Sequence, residues 1–237
     1  CNIILKSLMK YNYEKSISYE YNSILELNYN DYESYFRSLS KGFRQNIRTA
    51  YNKLDSRFVF KQLDDEKELY DFYEVMSILY IDKHHMVFQP FNLFKALFNA
   101  DLSFFLAFKH VDTNEILACI VITKDEDIYH YNWGITNPDF YKYSLNTLLV
   151  DELVKIAFKN GIKYIDFGAT PVSDEKLLFF KEKWGCAHYP VNYYYTLNQP
   201  SEVDLNKSYL WARKLYSKMP KPFIRFMMPK VIPWLVS

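Results

Sequence analysis

The sequence predicts a mixed α/β fold: an antiparallel meander followed by βαβ-type strands in one sheet, with helices on both faces. Three observations carry that prediction. Apolar residues recur at helical spacing through much of the first half and again over residues 145–159. Three apolar runs, at 104–109, 115–123 and 128–133, are joined by short polar turns, the mark of an antiparallel meander. After the meander the order becomes helix, strand, helix, strand, with the helices available to cover the sheet.

Each element follows from local pattern. Residues 1–30 are polar and rich in Tyr and Asn, with one strand-like run at 23–27, and read as an N-terminal segment left from a preceding domain. From Asp31 the pattern is helical, with Tyr32, Tyr35 and Phe36 on one face; a second helix over 39–54 carries Phe43, Ile47, Ala50, Tyr51 and Leu54. On it Lys41, Arg44 and Arg48 form a basic stripe, with no acid anywhere in 37–54. Residues 57–61 alternate as a strand. Asp64, Asp65 and Glu66 start a long helix to His84, because carboxylates complement the amides of a helix N-terminus. His84 and His85 close it, where an imidazolium complements the dipole or contacts a substrate. Pro90 opens a short helix to Phe98, and the meander follows. Then come helix 145–159, strand 163–167, helix 174–183 and strand 191–197. The expected organisation is a segment 1–30, a domain 31–204 and a detachable tail 205–237.

Composition narrows the function. A chain of 237 residues, 49% hydrophobic, sustains one domain with a sizeable core. A net charge of +1 argues against a general nucleic-acid binder. The 3 cysteines are widely spaced without metal-site spacing, so neither a metal nor a disulfide framework is expected. Cys119 lies in an apolar run and reads as core; Cys186 follows Gly185 and reads as packing near a candidate site. Only 5 glycines occur, so those at element ends mark places where the backbone needs them.

The chemistry concentrates in Lys163-Tyr164-Ile165-Asp166-Phe167-Gly168 and, past a polar turn, in Phe180-Lys181 and Trp184-Gly185. This layout sets one lysine and one carboxylate beside a splayed sheet edge. Acyl transfer passes through a tetrahedral oxyanion, so its site needs a donor aimed at that oxygen and a base. Lys181 suits the donor. Asp166 suits a general base, an orienter of Lys181, or a cap for the loop 169–173. Tyr131 and His130 alternate on their strand, so only one faces the site, with His130 a base if it is the one. Lys41, Arg44 and Arg48 either grip acceptor phosphate or form a solvated face. After Asp204 no acid remains, while seven bases alternate with aromatics, suiting either an anionic membrane interface or packing on the domain. The tail's apolar runs are too short to span a bilayer.

Three motifs in order carry a family resemblance: Leu39-Ser40-Lys41-Gly42-Phe43-Arg44-Gln45-Asn46-Ile47-Arg48, Tyr129-His130-Tyr131-Asn132-Trp133-Gly134, and Asp166-Phe167-Gly168 with Phe180-Lys181 and Trp184-Gly185. Over residues 39–185 the chain resembles the GNAT acyltransferase fold, and within it the Fem-type peptidoglycan-bridge aminoacyltransferases and envelope-polysaccharide acyltransferases. The resemblance implies acyl or aminoacyl transfer to an amine or hydroxyl of a cell-envelope glycan or peptidoglycan precursor. It ties Lys181 to the acyl donor and chooses Tyr131 as the residue facing the site; with Asp166 these are the expected catalytic residues, and Arg44, Arg48, Lys41, Phe180, Trp133 and His85 are the expected substrate contacts. No tightly bound cofactor is expected; acyl-CoA or aminoacyl-tRNA is the donor. The expected partner is a phosphate-bearing or lipid-linked precursor, at a cytoplasmic location with peripheral contact at the inner membrane face. Ordinary GNAT enzymes cradle pyrophosphate on a glycine-rich turn at a helix N-terminus, whereas residues 135–146 contain no glycine. The alternatives are a plain acyl-CoA N- or O-acetyltransferase and a degenerate, non-catalytic domain with an occluded cleft. Lys181→Ala is expected to abolish transfer and barely change the melt.

Overall fold

The computed structural model describes residues 4–7, 16–84 and 89–195. In chain order its elements are β1 (Ile4–Ser7), β2 (Ser16–Glu26), α1 (Tyr32–Ser38), α2 (Lys41–Lys53), β3 (Phe58–Gln62), α3 (Glu66–His84) and α4 (Phe91–Asn99). The meander β4 (Ser103–His110), β5 (Ile116–Asp125) and β6 (Ile128–Thr136) follows, then a 3-10 turn at Pro138–Tyr143. The chain continues through α5 (Leu145–Lys159), β7 (Tyr164–Pro171), α6 (Glu175–Lys183) and β8 (Ala187–Tyr195). The eight strands make one sheet in the order β1-β8-β2-β7-β6-β5-β4-β3, parallel at β6–β7 and antiparallel at every other pair.

The meander reads as nearly continuous apolar sequence because both of its faces are covered. On β4, Phe104, Leu106 and Phe108 pack into the layer built by α1, α2 and α5, while Phe105 and Ala107 turn to α3 and α4. Capping fixes the entry of the first helices. Asp31 accepts from the Ser34 amide at 2.7 Å, and Ser40 accepts from the Phe43 amide at 3.2 Å.

Two expectations change. The short run at 23–27 is the end of an eleven-residue strand, β2, seated between β8 and β7. Its polar residues hide it: Asn22 and Ser23 bond across the sheet to Asp166 and His188, so composition alone suggests a loop. Residues 16–26 therefore share one sheet with the unit expected to begin at 31. Strand β8 begins at Ala187 rather than 191 and pairs with both β1 and β2. His85 and the tail 205–237 lie outside the described residues.

The helical layer is tied together by a buried polar knot. Asp151 on α5 is fully buried and accepts from the Tyr32 hydroxyl at 2.6 Å, the Tyr51 hydroxyl at 2.7 Å and the Lys155 ammonium at 2.8 Å. Burial, with the Asp151 carboxylate beside them, pushes both phenols well above their ordinary range, so they remain donors. Asp151→Ala leaves the Tyr32 hydroxyl without its acceptor and takes one of two acceptors from Tyr51 and Lys155, which keep Glu152. It should lose about 3 kcal/mol in urea denaturation.

Candidate active site

The site originates where the parallel pair fails. Strands β6 and β7 pair through Ile128–Tyr164, Tyr129–Ile165 and His130–Asp166, and part beyond that point. A bulge follows on each strand. On β6, Tyr131 and Trp133 oppose the adjacent Ile122 and Val121, leaving Asn132 as the extra residue. On β7, the register against β2 slips between Asp166 and Ala169, and Gly168 there adopts φ 72°, where a side chain is strained. Two bulges just past the last pair twist the strands apart. The gap is a cleft of about 960 Å³, open to solvent, without the occlusion expected of a degenerate domain.

The bulge on β6 also decides which side chains face the cleft. Tyr131 folds back over Gly134: a Cβ at Gly134 would sit 1.7 Å from the Tyr131 hydroxyl oxygen, so only glycine fits. The hydroxyl donates to the Asn146 side chain at 3.1 Å, and the ring stacks on Phe167 across the gap with centroids 5.7 Å apart. Burial pushes this phenol well above its ordinary range, so it is neutral at physiological pH. Trp133, expected at the substrate, is turned by the extra residue to the opposite face, where it packs on Phe94 at 5.2 Å.

The first turn of α5 forms another wall, with Ser144, Leu145, Asn146 and Thr147 lining the cleft. Ser144 adopts φ 56° and ψ 37° and makes no side-chain cap, so a serine takes the left-handed position that the glycine-free connection lacked. Amides at such an uncapped N-terminus suit an anion. None of these residues stood out in the sequence, because nothing local marks a left-handed serine.

Phe180 and Lys181 reach the cleft from α6. Lys181 is 4% exposed, and its ammonium donates to the Phe167 carbonyl at 2.8 Å, the Gly168 carbonyl at 2.8 Å and the Thr170 hydroxyl at 2.6 Å. An ammonium has three N–H donors, and all three are used. Direct donation to an oxyanion, expected from the sequence, has no hydrogen left in this arrangement; the lysine instead holds the bulged backbone of β7. Burial pushes its pKa down to about 8.

Asp166 does not bond Lys181. It accepts from the Gly168 amide at 2.8 Å and the Asn22 side chain at 3.1 Å, and meets His130 Nδ1 at 3.3 Å. Lys41, Arg44 and Arg48 lie on α2 and none lines the cleft. Arg44 donates to the carbonyls of Arg37 and Leu39 at the end of α1, and Arg48 stacks over Phe36 at 5.4 Å, so two of the three serve the α1–α2 junction.

The family described as acetyltransferase (GNAT) domain matches residues 41–177, more than half of the chain. The chain belongs to the GNAT acetyltransferase domain family. It is an acyltransferase domain. No curated protein matches its sequence. In fold, this GNAT domain is similar to the crystal structure of FemX (TM-score 0.61, 13% identity, 80% of this chain and 65% of that one). It is also similar to L-PGS from Bacillus licheniformis (0.57, 14%, 86% and 67%). A third likeness is to the C-terminal domain of a putative lysylphosphatidylglycerol synthetase from Agrobacterium fabrum (0.56, 12%, 78% and 62%). The chain thus spans less than two thirds of FemX and of the Agrobacterium protein.

Gly134→Ala should destabilise the domain by roughly 1–3 kcal/mol through overpacking, and cost little more when added to Tyr131→Ala. Thermal melts of the two single variants and the double variant check this non-additivity. Lys181→Ala, contrary to the sequence-based expectation, should lower the melt, because two carbonyls and a hydroxyl lose their donor. The lysine also sets a pH dependence. Its folded value of about 8 lies below the ordinary 10.5, so between these pH values the unfolded chain binds more protons and stability rises with pH. Melts from pH 8 to 10 should show that gain for the parent relative to Lys181→Met.

Proposed function

We propose that this GNAT domain transfers an acyl or aminoacyl group directly from its donor to an amine or hydroxyl of a phosphate-bearing glycan or peptidoglycan precursor of the cell envelope. The observation that carries the reading is the gap past His130–Asp166, flanked by the uncapped N-terminus of α5. The donor's phosphate seats on the first-turn amides of α5, where the left-handed Ser144 leaves the helix end open. Its acyl carbonyl reaches the bulge on β6. Asn132, which has no partner in the β5 register, supplies an amide for the developing oxyanion. Tyr131, neutral and held by Asn146, fixes the carbonyl between the strands. Phe180 supplies apolar wall, and Lys181 keeps the β7 carbonyls turned away from the acyl oxygen.

Attack of the acceptor nitrogen or oxygen on the acyl carbon forms the new bond and sends the C=O π pair to oxygen. Collapse of that intermediate restores the carbonyl and expels the donor's leaving group, which takes up a proton. Direct transfer fits the two cysteines among the described residues better than an acyl-enzyme. Cys119 is fully buried, and burial pushes its thiol well up; burial pushes Cys186 up to about 12, so neither offers a thiolate at neutral pH.

The acceptor class is supported by the fold likeness to FemX and to lysylphosphatidylglycerol synthetases, and by the acid-free basic sequence 205–237, which suits contact with the inner face of an anionic membrane. Among the described residues no helix is long and apolar enough to cross a membrane. The Ser144 geometry favours a second reading as well, a plain acyl-CoA N- or O-acetyltransferase, because CoA carries the phosphates that α5 would take. Aminoacyl-tRNA is the competing donor.

The test offers acetyl-CoA and, separately, a charged tRNA pool, each with lipid-linked peptidoglycan precursor or with phosphatidylglycerol vesicles. Mass spectrometry should find the acceptor heavier by one acyl or aminoacyl group. Transfer from acetyl-CoA to small amines alone would replace the proposal by the second reading, and transfer from neither donor would remove it.

A further inference from the structure

The transfer just described needs a group to take the acceptor's proton, and the titratable side chains that line the cleft are phenols, two lysines and one carboxylate, Asp174. Among the described residues, Asp174 spends its carboxylate capping α6 at the Leu177 amide. The Lys181 nitrogen is engaged with three oxygens of β7, and Tyr131 and Tyr80 are phenols that burial pushes upward. An imidazole at the rim suits the step better than any of these. The last paired position before the strands part holds such a group.

We propose that His130 is the general base of this domain, with Asp166 as its positioning residue and the acceptor bound on the sheet face opposite Tyr131. The geometry is that of a carboxylate-held imidazole. An ionised carboxylate only accepts, so the 3.3 Å contact assigns the ring proton to His130 Nδ1 and leaves the lone pair on Nε2. Nε2 has no partner among the described residues, and the side chain remains 34% exposed. Asp166 is in turn fixed by Asn22 of β2 and by the Gly168 amide. These two bonds orient the carboxylate, which orients the ring, while the same residues set the bulge that opens the gap. His130 precedes Tyr131 and points to the other face, so donor and base approach the acyl carbon from opposite sides of the sheet.

In the step, Nε2 takes the proton from the acceptor's N–H or O–H as its heteroatom bonds the acyl carbon. The imidazolium is stabilised by Asp166 and later releases that proton to solvent or to the departing group. The charges around the ring are few. Asp166 faces it from β7; on β5, Thr123 is its register partner, and the neighbouring Lys124 is held by Asp101. Helix α3 packs on β6 and brings the neutral Tyr80 to the cleft, and Lys181 of α6 lies close enough to Asp166 to feel its charge.

This inference rests on the acyl-transfer reading, so its test has two arms. The first needs no substrate: nitrogen-resolved NMR of histidine-labelled protein, with the His130 signal assigned by its loss in His130→Gln. The neutral ring should be protonated at Nδ1 in the parent, and that preference should be lost in Asp166→Asn. A ring protonated at Nε2, or a tautomer unmoved by Asp166→Asn, overturns the dyad. The second arm measures kcat/KM against pH with whichever donor, acetyl-CoA or charged tRNA, the parent uses. The acid limb should vanish in His130→Gln with a loss of at least 100-fold, while acetyl-CoA or tRNA affinity and the melt stay near the parent. An unchanged profile in that variant overturns the base assignment. A parent that transfers nothing removes the acyl-transfer reading, while the NMR arm still decides whether the dyad exists.

Discussion

Everything functional in this domain depends on where one parallel strand pair stops. Three register pairs hold β6 to β7, and a bulge on each strand then turns them apart. A sheet interior has no unsatisfied backbone, because every strand feeds its neighbours. Splitting it exposes amides and carbonyls that must find other partners. On β7 the carbonyls of Phe167 and Gly168 find the Lys181 ammonium; on β6 Tyr131 folds over Gly134 and fills the space beneath the bulge. The cleft is the remainder, a hole in the sheet kept open by groups that would otherwise reclose it.

Lys181 shows how a residue can matter to a site without performing its chemistry. A lysine on a short helix is normally solvated, yet this one is drawn inside because its three donors match three oxygen acceptors. Burying the charge lowers its pKa, and the nearby Cys186, Asp166, Asp174 and Glu20 oppose that shift by favouring the ammonium. The competing terms leave a cation that is held in place and electrostatically visible to Asp166. Its influence on the reaction is through the shape of β7 and the local potential.

Much of the fold was legible. The meander, α5 and the alternating helices and strands follow from periodicity, because their apolar residues face cores on both sides of the sheet. Strand β2 was not, since its polar residues are satisfied by partners far away in sequence: Asn22 by Asp166 and Ser23 by His188. The site was legible in part. Tyr131, Phe180 and Lys181 were placed near the cleft by motif, and the structure brings them together there. Trp133 was misplaced because alternation assumes an unbroken strand, and Asn132 breaks it. The serine at the head of α5 could not be anticipated, because a left-handed backbone at a residue other than glycine is imposed by the surrounding chain and not by its own side chain.

Strand β2 follows the same logic. β2 pairs with β7 along the segment that carries Asp166 and the Gly168 bulge, and its own residue Asn22 holds the Asp166 carboxylate. A sheet without β2 would leave that edge of β7 unpaired and the bulge without a template. The carboxylate would keep its contact with the Gly168 amide but lose the side-chain donor that fixes its second direction. Residues 16–26 are therefore part of the site's support, and any boundary drawn after them would divide the fork from the strand that gives it its shape.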